Sequence, residues 1–227
     1  MLEAVLFDLD GTLVDTAPDM ARTVNQMRTR RGLAPVPTRQ VRAQVSNGAR
    51  GMIISAFGIT TEHPEFQGMR EEFLSLYADN LCIDSRLFDG MDQLIAGLDA
   101  EGIAWGVVTN KFERFARPLL EGLEMASRPA VVVGGDTCPR PKPFPDPLLH
   151  AAATIGVAPM NTLYVGDDVR DVQAARAAGM AVVVAGYGYL GDGSPPSLWG
   201  ADAVVDSPAG IGEWIRANAG RDARGKP

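Results

Sequence analysis

The sequence is poor in cysteine, histidine and aromatic residues, and it has no excess of positive charge. Of its 227 residues only two are cysteines, Cys82 and Cys138, which is too few for a disulfide framework or a cysteine metal site. The formal net charge of −7 argues against a protein that coats nucleic acid. No apolar run reaches the roughly 18 residues of a membrane span, and no basic, apolar leader follows Met1. We therefore expect a cytoplasmic protein that binds neither nucleic acid nor membrane.

Apolar runs typical of buried strands recur along the chain and alternate with helical patterns. The runs cover residues 5–8, 103–109, 130–133, 162–166, 181–185 and 203–206. Helical patterns separate most of them, at residues 87–100, 112–123, 145–155 and 169–178. Alternation of this kind predicts an α/β fold built on a doubly wound parallel sheet with right-handed crossovers.

Residues 15–85 interrupt this alternation. They contain no convincing strand but three helical patterns, at residues 19–31, 38–57 and 64–80, the second with a potential break at residues 46–48. We expect a small all-helical cap domain at residues 15–85, inserted after the first strand into a core formed by residues 1–14 and 86–217. Residues 218–227 are rich in glycine and charge and are expected to be a disordered tail.

Two carboxylates stand at the end of the first predicted strand, in the segment VLFDLDGTL of residues 5–13. Because strand side chains have a period of two, Asp8 and Asp10 leave the sheet on the same side, at the edge where open α/β sheets bind ligands. Neighbouring carboxylates repel unless a cation or a shared proton relieves them. The pair therefore indicates a metal-assisted phosphoryl-transfer site, although an acidic strand end that caps the next turn is the plain structural alternative.

Two later segments provide donors suited to a phosphate group. Thr109, Asn110 and Lys111 follow the second strand run with hydroxyl, amide and ammonium groups. The alternative for Thr109 is an N-cap of the helix that starts near residue 112. Lys142 lies in the segment RPKPFPDP, whose four prolines form a stiff loop. A stiff loop would hold the ammonium group in a fixed direction, which suits the binding of an anion at a fixed position.

The segment YVGDDVRD of residues 164–171 adds three acids to the same edge of the sheet. A hard cation bound by Asp8 needs further oxygen ligands, and Asp167 at the strand tip is placed to provide one. Asp168 or Asp171 has a structural alternative, which is to stabilise the N-terminus of the following helix.

Together these segments predict one site. Mg²⁺ would be held by Asp8, the backbone carbonyl of Asp10 and Asp167. The phosphoryl oxygens would be held by Thr109, the amide of Asn110 and Lys142.

In their order and spacing, the four segments resemble the haloacid dehalogenase superfamily of aspartate-nucleophile phosphatases. The resemblance covers nearly the whole chain and is carried by DLDGT at residues 8–12, by TN at 109–110, by Lys142 and by GDDVRD at 166–171. It implies that Asp8 attacks phosphorus to form an aspartyl-phosphate, and that Asp10 first donates a proton to the leaving oxygen and then accepts one from water. It implies further that Lys142 and Mg²⁺ neutralise the transferring group and that Asp171 supports Lys142 or a metal-bound water.

Within the superfamily, the small helical cap and the TNK segment resemble the phosphoglycolate phosphatase branch. Five further segments are similar to bacterial N-acetylmuramic acid 6-phosphate phosphatases of cell-wall recycling: residues 46–50, 87–91, 105–111, 187–189 and 199–202. The resemblance implies that the substrate is a small phosphorylated metabolite, either 2-phosphoglycolate or N-acetylmuramic acid 6-phosphate. We expect the protein to be a monomer or a homodimer. Arg50 in the cap is a candidate to bind the carboxylate that both substrates carry. The alternative is that Arg50 is a solvated arginine on a helix surface.

Three rival functions use part of the same pattern. A phosphosugar mutase like β-phosphoglucomutase would have the same core. A haloacid dehalogenase would keep Asp8 but needs neither Asp10, Mg²⁺ nor Asp167. A non-enzymatic, receiver-like phospho-binding module would lack the general acid.

Overall fold

The protein is described by a computed structural model that covers residues 1–191 and 193–218. Its strands are β1 (Ala4–Phe7), β2 (Val14–Asp15), β3 (Arg86–Leu87), β4 (Ala104–Val108), β5 (Val132–Val133), β6 (Thr162–Gly166), β7 (Ala181–Ala185) and β8 (Ala203–Val205). Six of them form one sheet in the order β5-β4-β1-β6-β7-β8, and every pairing in that sheet is parallel. The predicted doubly wound parallel sheet is confirmed.

Nine α-helices lie within the described residues. They are α1 (Ala17–Arg30), α2 (Thr38–Arg42), α3 (Gly48–Phe57), α4 (Phe66–Asp79), α5 (Met91–Ala100), α6 (Glu113–Gly122), α7 (Asp146–Ile155), α8 (Val169–Ala178) and α9 (Pro208–Ala217). Because strand side chains alternate, Val5 and Phe7 of β1 pack with α5, α6 and α9, whereas Leu6 packs with α7 and α8 on the other face. Both faces of the sheet are thus covered, which explains the nearly continuous apolar strands. No helix in the described ranges is long and apolar enough to cross a membrane.

Four elements differ from the sequence interpretation, and two of them are the short strands β2 and β3, which were not predicted. Helix α5 begins at Met91 rather than at residue 87, because Gly90 adopts a φ of +88° and residues 86–87 are paired in β3. Helix α9, whose first turn is capped by the Ser207 side chain, was not predicted. Apart from Asn218, the predicted tail lies outside the described residues.

Helices α1 to α4 stand between β2 and β3, and we call this segment the helical insertion. The predicted break in its second helical pattern is confirmed, because a 3₁₀ turn at Val45–Asn47 separates α2 from α3. The insertion has its own hydrophobic cluster, which includes Met27, Ile53 and Phe73. Phe115 and Tyr189 from outside the insertion belong to the same cluster, so its helices pack directly against the rest of the chain.

A short antiparallel ladder of β2 and β3 and one buried carboxylate join the two ends of the insertion. Asp19 near the start of α1 accepts hydrogen bonds from the backbone N–H groups of Ile83, Asp84 and Ser85 and from the Ser85 hydroxyl, at 2.6 to 3.1 Å. A carboxylate with this many donors is well stabilised although it is buried. The first and last residues of the insertion are therefore held next to each other, and the first of them follow Asp10 closely in the sequence.

Candidate active site

The predicted functional residues meet at one edge of the parallel sheet. Asp8, Thr109 and Asp167 directly follow β1, β4 and β6, which are neighbours in the sheet. Beside them lies a cavity of about 280 Å³ between the sheet and the helical insertion. We call its core side the floor, which includes Asp8, Asp10, Thr109, Asn110, Lys111, Lys142 and Asp171. We call its insertion side the wall, which includes residues 45–49 together with Met20, Arg50, Arg70, Phe73, Leu74 and Tyr77.

Lys142 is buried at the floor, and its ammonium group is surrounded by oxygen atoms. Nζ donates to Asp171 Oδ1 at 2.7 Å and to Tyr164 Oη at 2.8 Å, and it lies 3.0 Å from Asp8 Oδ2. Burial opposes the charge, but the carboxylates of Asp171 and Asp8 outweigh it and raise the pKa of Lys142. The lysine is therefore a fixed cation beside Asp8, and Asp171 contacts it, which fits one of the two roles that the family resemblance implies for Asp171.

Thr109 and Asn110 shape the floor around this lysine. Asn110 holds the backbone of Lys142 from both sides, since its Nδ2 donates to the Lys142 carbonyl at 2.9 Å and its Oδ1 accepts from the Lys142 N–H at 3.0 Å. Thr109 is buried, and its Oγ1 accepts from the N–H of Lys111 at 3.1 Å. Helix α6 has Phe112 at its N-cap position, so the N-cap alternative for Thr109 is wrong. The side-chain amide of Asn110 is engaged with Lys142, which leaves the backbone N–H as its donor for a phosphate.

Three carboxylates are crowded beneath the cavity. Oxygen atoms of Asp8, Asp167 and Asp171 all lie within 4.8 Å of one another. Burial, together with the charges of its acidic neighbours, raises the pKa of Asp8 to about 6, although Lys142 opposes this shift. Burial and the charges of Asp8 and Asp171 raise the pKa of Asp167 well above its usual range. Hard oxygen donors whose mutual repulsion a cation would relieve fit a Mg²⁺ ion.

Asp167 is held by the loop that follows β1 and by the segment that follows β7. Its two oxygens accept from Thr12 Oγ1 at 3.0 Å and from the Tyr189 N–H at 2.8 Å. Gly11 has a φ of +85°, and a Cβ atom there would lie 2.1 Å from Asp167 Oδ2. The glycine of the DLDGT segment thus leaves room for the Asp167 carboxylate, and the threonine donates a hydrogen bond to it.

Asp168 has the structural role that the sequence left open. It is the N-cap of α8 and accepts from the N–H of Arg170, while Asp171 Oδ2 accepts from the N–H of Asp168 in a capping box. The Arg170 guanidinium bonds both Asp168 oxygens and the Ser46 carbonyl in the helical insertion. Asp171 therefore both caps the helix and holds Lys142.

Asp10 has surroundings quite different from those of Asp8. Its Oδ1 accepts from Thr16 Oγ1 at 2.6 Å, and Lys111 Nζ lies 2.9 and 3.2 Å from its two oxygens. Lys111 Nζ also donates to Tyr77 Oη of α4 at 2.9 Å. Both carboxylate oxygens of Asp10 therefore face Lys111, and Asp10 is not among the three acids whose oxygens lie close enough together to hold a metal ion.

The part of the wall that α4 provides is mostly apolar, and the wall contains two arginines. Phe73, Leu74 and Tyr77 of α4 face the cavity together with Arg70, at the spacing that places residues on one side of a helix. Arg50 in the first turn of α3 lines the same cavity and is exposed. Within the described residues, neither arginine forms a hydrogen bond or an ion pair.

Several residues of the site were not assigned a role by the sequence interpretation. Lys111 was noted only as one donor of a phosphate cradle, and Tyr164 was treated as part of an apolar strand. The signal for Tyr164 is a hydroxyl on an otherwise aliphatic buried strand, which needs a partner. Arg70 carries a local signal as well, since it continues the helical spacing of Phe73 and Tyr77.

Comparison with known proteins agrees with this geometry. The family profile of haloacid dehalogenase-like hydrolases matches residues 5–185. The chain is 45% identical over 207 residues to an N-acetylmuramic acid 6-phosphate phosphatase of Pseudomonas aeruginosa, covering 91% of this chain and 92% of that protein. It is 48% identical over 204 residues to a phosphoglycolate phosphatase of Xylella fastidiosa, covering 90% and 89%. The crystal structure of a predicted phosphoglycolate phosphatase from Haemophilus somnus superposes with a TM-score of 0.82 at 30% identity, covering 93% and 97%.

The chain belongs to the haloacid dehalogenase-like hydrolase family. The predicted enzyme class, a phosphatase, is confirmed by the class of these relatives.

Proposed function

We propose that the protein is a Mg²⁺-dependent phosphomonoester hydrolase that acts through an aspartyl-phosphate, and that its substrate is N-acetylmuramic acid 6-phosphate rather than 2-phosphoglycolate. The choice of substrate rests on the size of the cavity and on the side chains of its wall. The cavity is too large, and its wall too apolar, for a two-carbon acid. The relatives named above include enzymes for both substrates, so similarity alone leaves the choice open.

Asp8 is the proposed nucleophile. Its side chain is 14% exposed, lines the cavity and is held by the N–H of Leu9 and by Lys142. In the first step an Asp8 oxygen forms a bond to phosphorus while the bond to the substrate oxygen breaks, and Asp10 gives that oxygen its proton. In the second step water attacks the same phosphorus, its proton passes to Asp10, and phosphate leaves Asp8 as a free carboxylate.

Charge on the transferring group is met by donors that are already in place. We assign three donors to the phosphoryl oxygens: the ammonium group of Lys142, the hydroxyl of Thr109 and the backbone N–H of Asn110. Such preorganised donors cost no reorganisation during the reaction. Asp8, Asp167 and the backbone carbonyl of Asp10 would hold Mg²⁺, which supplies further positive charge for the phosphoryl oxygens.

The helical insertion is the proposed cap domain, residues 15–85, on a core of residues 1–14 and 86–217. It provides one side of the cavity and contacts the core through Tyr77 and through the Ser46 carbonyl. A cap in this position excludes water from the aspartyl-phosphate and selects the substrate.

The cavity suits a sugar phosphate that carries a carboxylate. Its volume of about 280 Å³ approaches the lower end of typical ligand pockets, about 300 Å³, and a two-carbon acid would leave most of it empty. Phe73 and Leu74 offer apolar surface to a pyranose ring and to methyl groups. Arg50 and Arg70 are the proposed partners of the substrate carboxylate, on the side opposite to Asp8.

The test is a comparison of kcat/KM across four phosphomonoesters with Mg²⁺ present: N-acetylmuramic acid 6-phosphate, N-acetylglucosamine 6-phosphate, glucose 6-phosphate and 2-phosphoglycolate. We expect the muramic acid derivative to exceed N-acetylglucosamine 6-phosphate by about tenfold, since loss of one charge-assisted hydrogen bond is worth about 1.5 kcal/mol. A higher kcat/KM for 2-phosphoglycolate would overturn the choice of substrate but not the reaction class. Failure to release phosphate from any of the four would overturn both.

A further inference from the structure

Lys111 connects the floor of the cavity to the wall through its ammonium group. Its side chain is only 7% exposed, and Nζ lies 2.9 and 3.2 Å from the two oxygens of Asp10. The same Nζ donates to Tyr77 Oη at 2.9 Å and lies 4.7 Å from the centre of the Tyr77 ring. Lys111 follows β4 in the core, whereas Tyr77 belongs to α4 of the helical insertion.

The charge of this lysine is well compensated. Burial opposes it, but Asp10 and then Tyr77 outweigh burial and raise the pKa of Lys111. Burial also raises the pKa of Tyr77 to about 12, so its hydroxyl stays protonated and accepts from the ammonium group. One buried ammonium group thus joins the carboxylate of Asp10 to α4.

The carboxylate of Asp10 is oriented by two groups on different elements. Lys111 contacts both oxygens, and Thr16 at the start of the insertion donates to one of them. Charge develops on Asp10 as its proton moves to the leaving oxygen, and the ammonium group is in place to meet that charge. The same contact holds the carboxylate that then takes a proton from water.

We propose that Lys111 is a positioning residue that orients Asp10 for proton transfer to the leaving oxygen, and that Tyr77 makes this orientation depend on the seating of α4 against the core. The inference rests on the proposed function, in which Asp10 is the general acid and base. It gives the helical insertion a direct part in the chemistry, because displacement of α4 would remove one of the two partners of the lysine.

The rival interpretation is that Lys111 binds the phosphoryl group itself, as a member of the phosphate cradle. The two roles are separable by the leaving group of the substrate. A phosphoryl ligand meets the same group in every phosphomonoester, so its loss is felt equally by all. A residue that positions the general acid matters for a poor leaving group, such as a sugar alcohol, and little for 4-nitrophenol, which leaves without a proton.

The experiment measures kcat/KM with Mg²⁺ for N-acetylmuramic acid 6-phosphate and 4-nitrophenyl phosphate in Lys111→Met, Lys111→Arg, Tyr77→Phe and the double variant Lys111→Met/Tyr77→Phe. This constant reports the transfer to Asp8 and not the hydrolysis of the aspartyl-phosphate. For Lys111→Met we expect a loss on the order of 10²-fold for the sugar phosphate and less than about threefold for the aryl phosphate. For Lys111→Arg we expect partial recovery, because arginine retains the charge with a different reach.

Tyr77→Phe keeps the ring and removes only the hydroxyl, and we expect a loss of about fivefold with the same dependence on leaving group. Since both residues act through one contact, the double variant is expected to lose no more than Lys111→Met alone. Arg128→Met, which removes an exposed ion pair with Asp99 far from the cavity, is the matched control and should match the wild type.

Equal losses for the two substrates would assign Lys111 to the phosphoryl group and overturn the proposal, as would additive losses in the double variant. Thermal unfolding identifies any variant that fails to fold, and Tyr77→Phe then carries the test. Asp10→Asn separates this inference from the proposed function. If the loss in Asp10→Asn does not depend on the leaving group, the proposed role of Asp10 is wrong. If the loss depends on the leaving group in Asp10→Asn but not in Lys111→Met, only the present inference is wrong.

Discussion

The floor and the wall of the cavity are built on different principles. On the floor, the charged groups are held by partners: Lys142 by Asp171 and Tyr164, and Asp10 by Lys111 and Thr16. On the wall, Arg50 and Arg70 form no hydrogen bond or close ion pair among the described residues, although a hydrogen bond from Thr60 and, to a smaller extent, the charge of Arg50 lower the pKa of the Glu62 carboxyl. Fixed donors suit a group that is the same in every substrate, whereas cations that no hydrogen bond holds, beside apolar side chains, suit the part that differs. The contrast supports the proposal that the floor carries the phosphoryl chemistry and that the wall selects the substrate.

The largest effect is expected from Asp8→Asn, which breaks the floor. Without the nucleophile, we expect kcat to fall by about 10⁴-fold or more for every phosphomonoester, irrespective of the leaving group or of distal substituents. Phosphate release measures the effect, and circular dichroism with thermal unfolding checks that the fold is intact. Turnover within tenfold of the wild type would remove Asp8 from its assigned role.

A smaller and selective effect is expected from Arg70→Met, which changes only the wall. We expect KM for N-acetylmuramic acid 6-phosphate to rise about tenfold, as for one charge-assisted hydrogen bond of about 1.5 kcal/mol, with little change in kcat. N-acetylglucosamine 6-phosphate lacks the carboxylate and should be unaffected. Arg39→Met, which removes an exposed arginine of α2 that does not line the cavity, is the matched control. A similar rise in KM for both substrates would show that Arg70 does not bind the substrate carboxylate.

The smallest effect concerns the crowded acids of the floor in metal-free protein. Burial raises the folded-state pKa of Asp8 to about 6, above its usual value of 3.8, so the folded state binds this proton more tightly than the unfolded state. The resulting stabilisation is present at low pH and is lost as the pH rises through about 6. We therefore expect the melting temperature of the wild type, relative to that of Asp8→Asn, to fall between about pH 5 and about pH 7.5 with chelator present. A difference that stays constant with pH would contradict this.

Much of the core could be predicted because it obeys local rules. The strands of a sheet that is covered on both faces are continuous apolar runs, and polar residues directly after them are aligned by the parallel topology itself. For this reason Asp8, Thr109 and Asp167 could be placed at one edge from their position in the chain. Helix α9 was missed because no strand follows it to complete the alternating pattern, and β3 because a two-residue strand has no periodicity to detect.

The contacts of individual side chains could not be predicted in the same way. Sequence spacing placed Thr109, Asn110 and Lys111 together as donors for phosphate, yet the structure directs the Asn110 side chain to Lys142 and the ammonium group of Lys111 to Asp10 and Tyr77. Consecutive residues in a turn point in different directions, and their partners come from distant segments. The spacing of Arg70 with Phe73 and Tyr77 places it on their side of α4, but only the tertiary structure shows that this side faces the cavity.

The sequence by itself determined the family, the parallel sheet and the edge at which its acids and donors gather, because strand ends and glycine turns are encoded locally. The tertiary structure alone decided how the two acids of the opening segment differ. Asp8 lies among carboxylates beside Lys142, while Asp10 is held by Lys111 beneath a tyrosine of the insertion. The physical reason is that electrostatic environment depends on distance in space, and the charges that distinguish these neighbours lie about one hundred residues or more away along the chain.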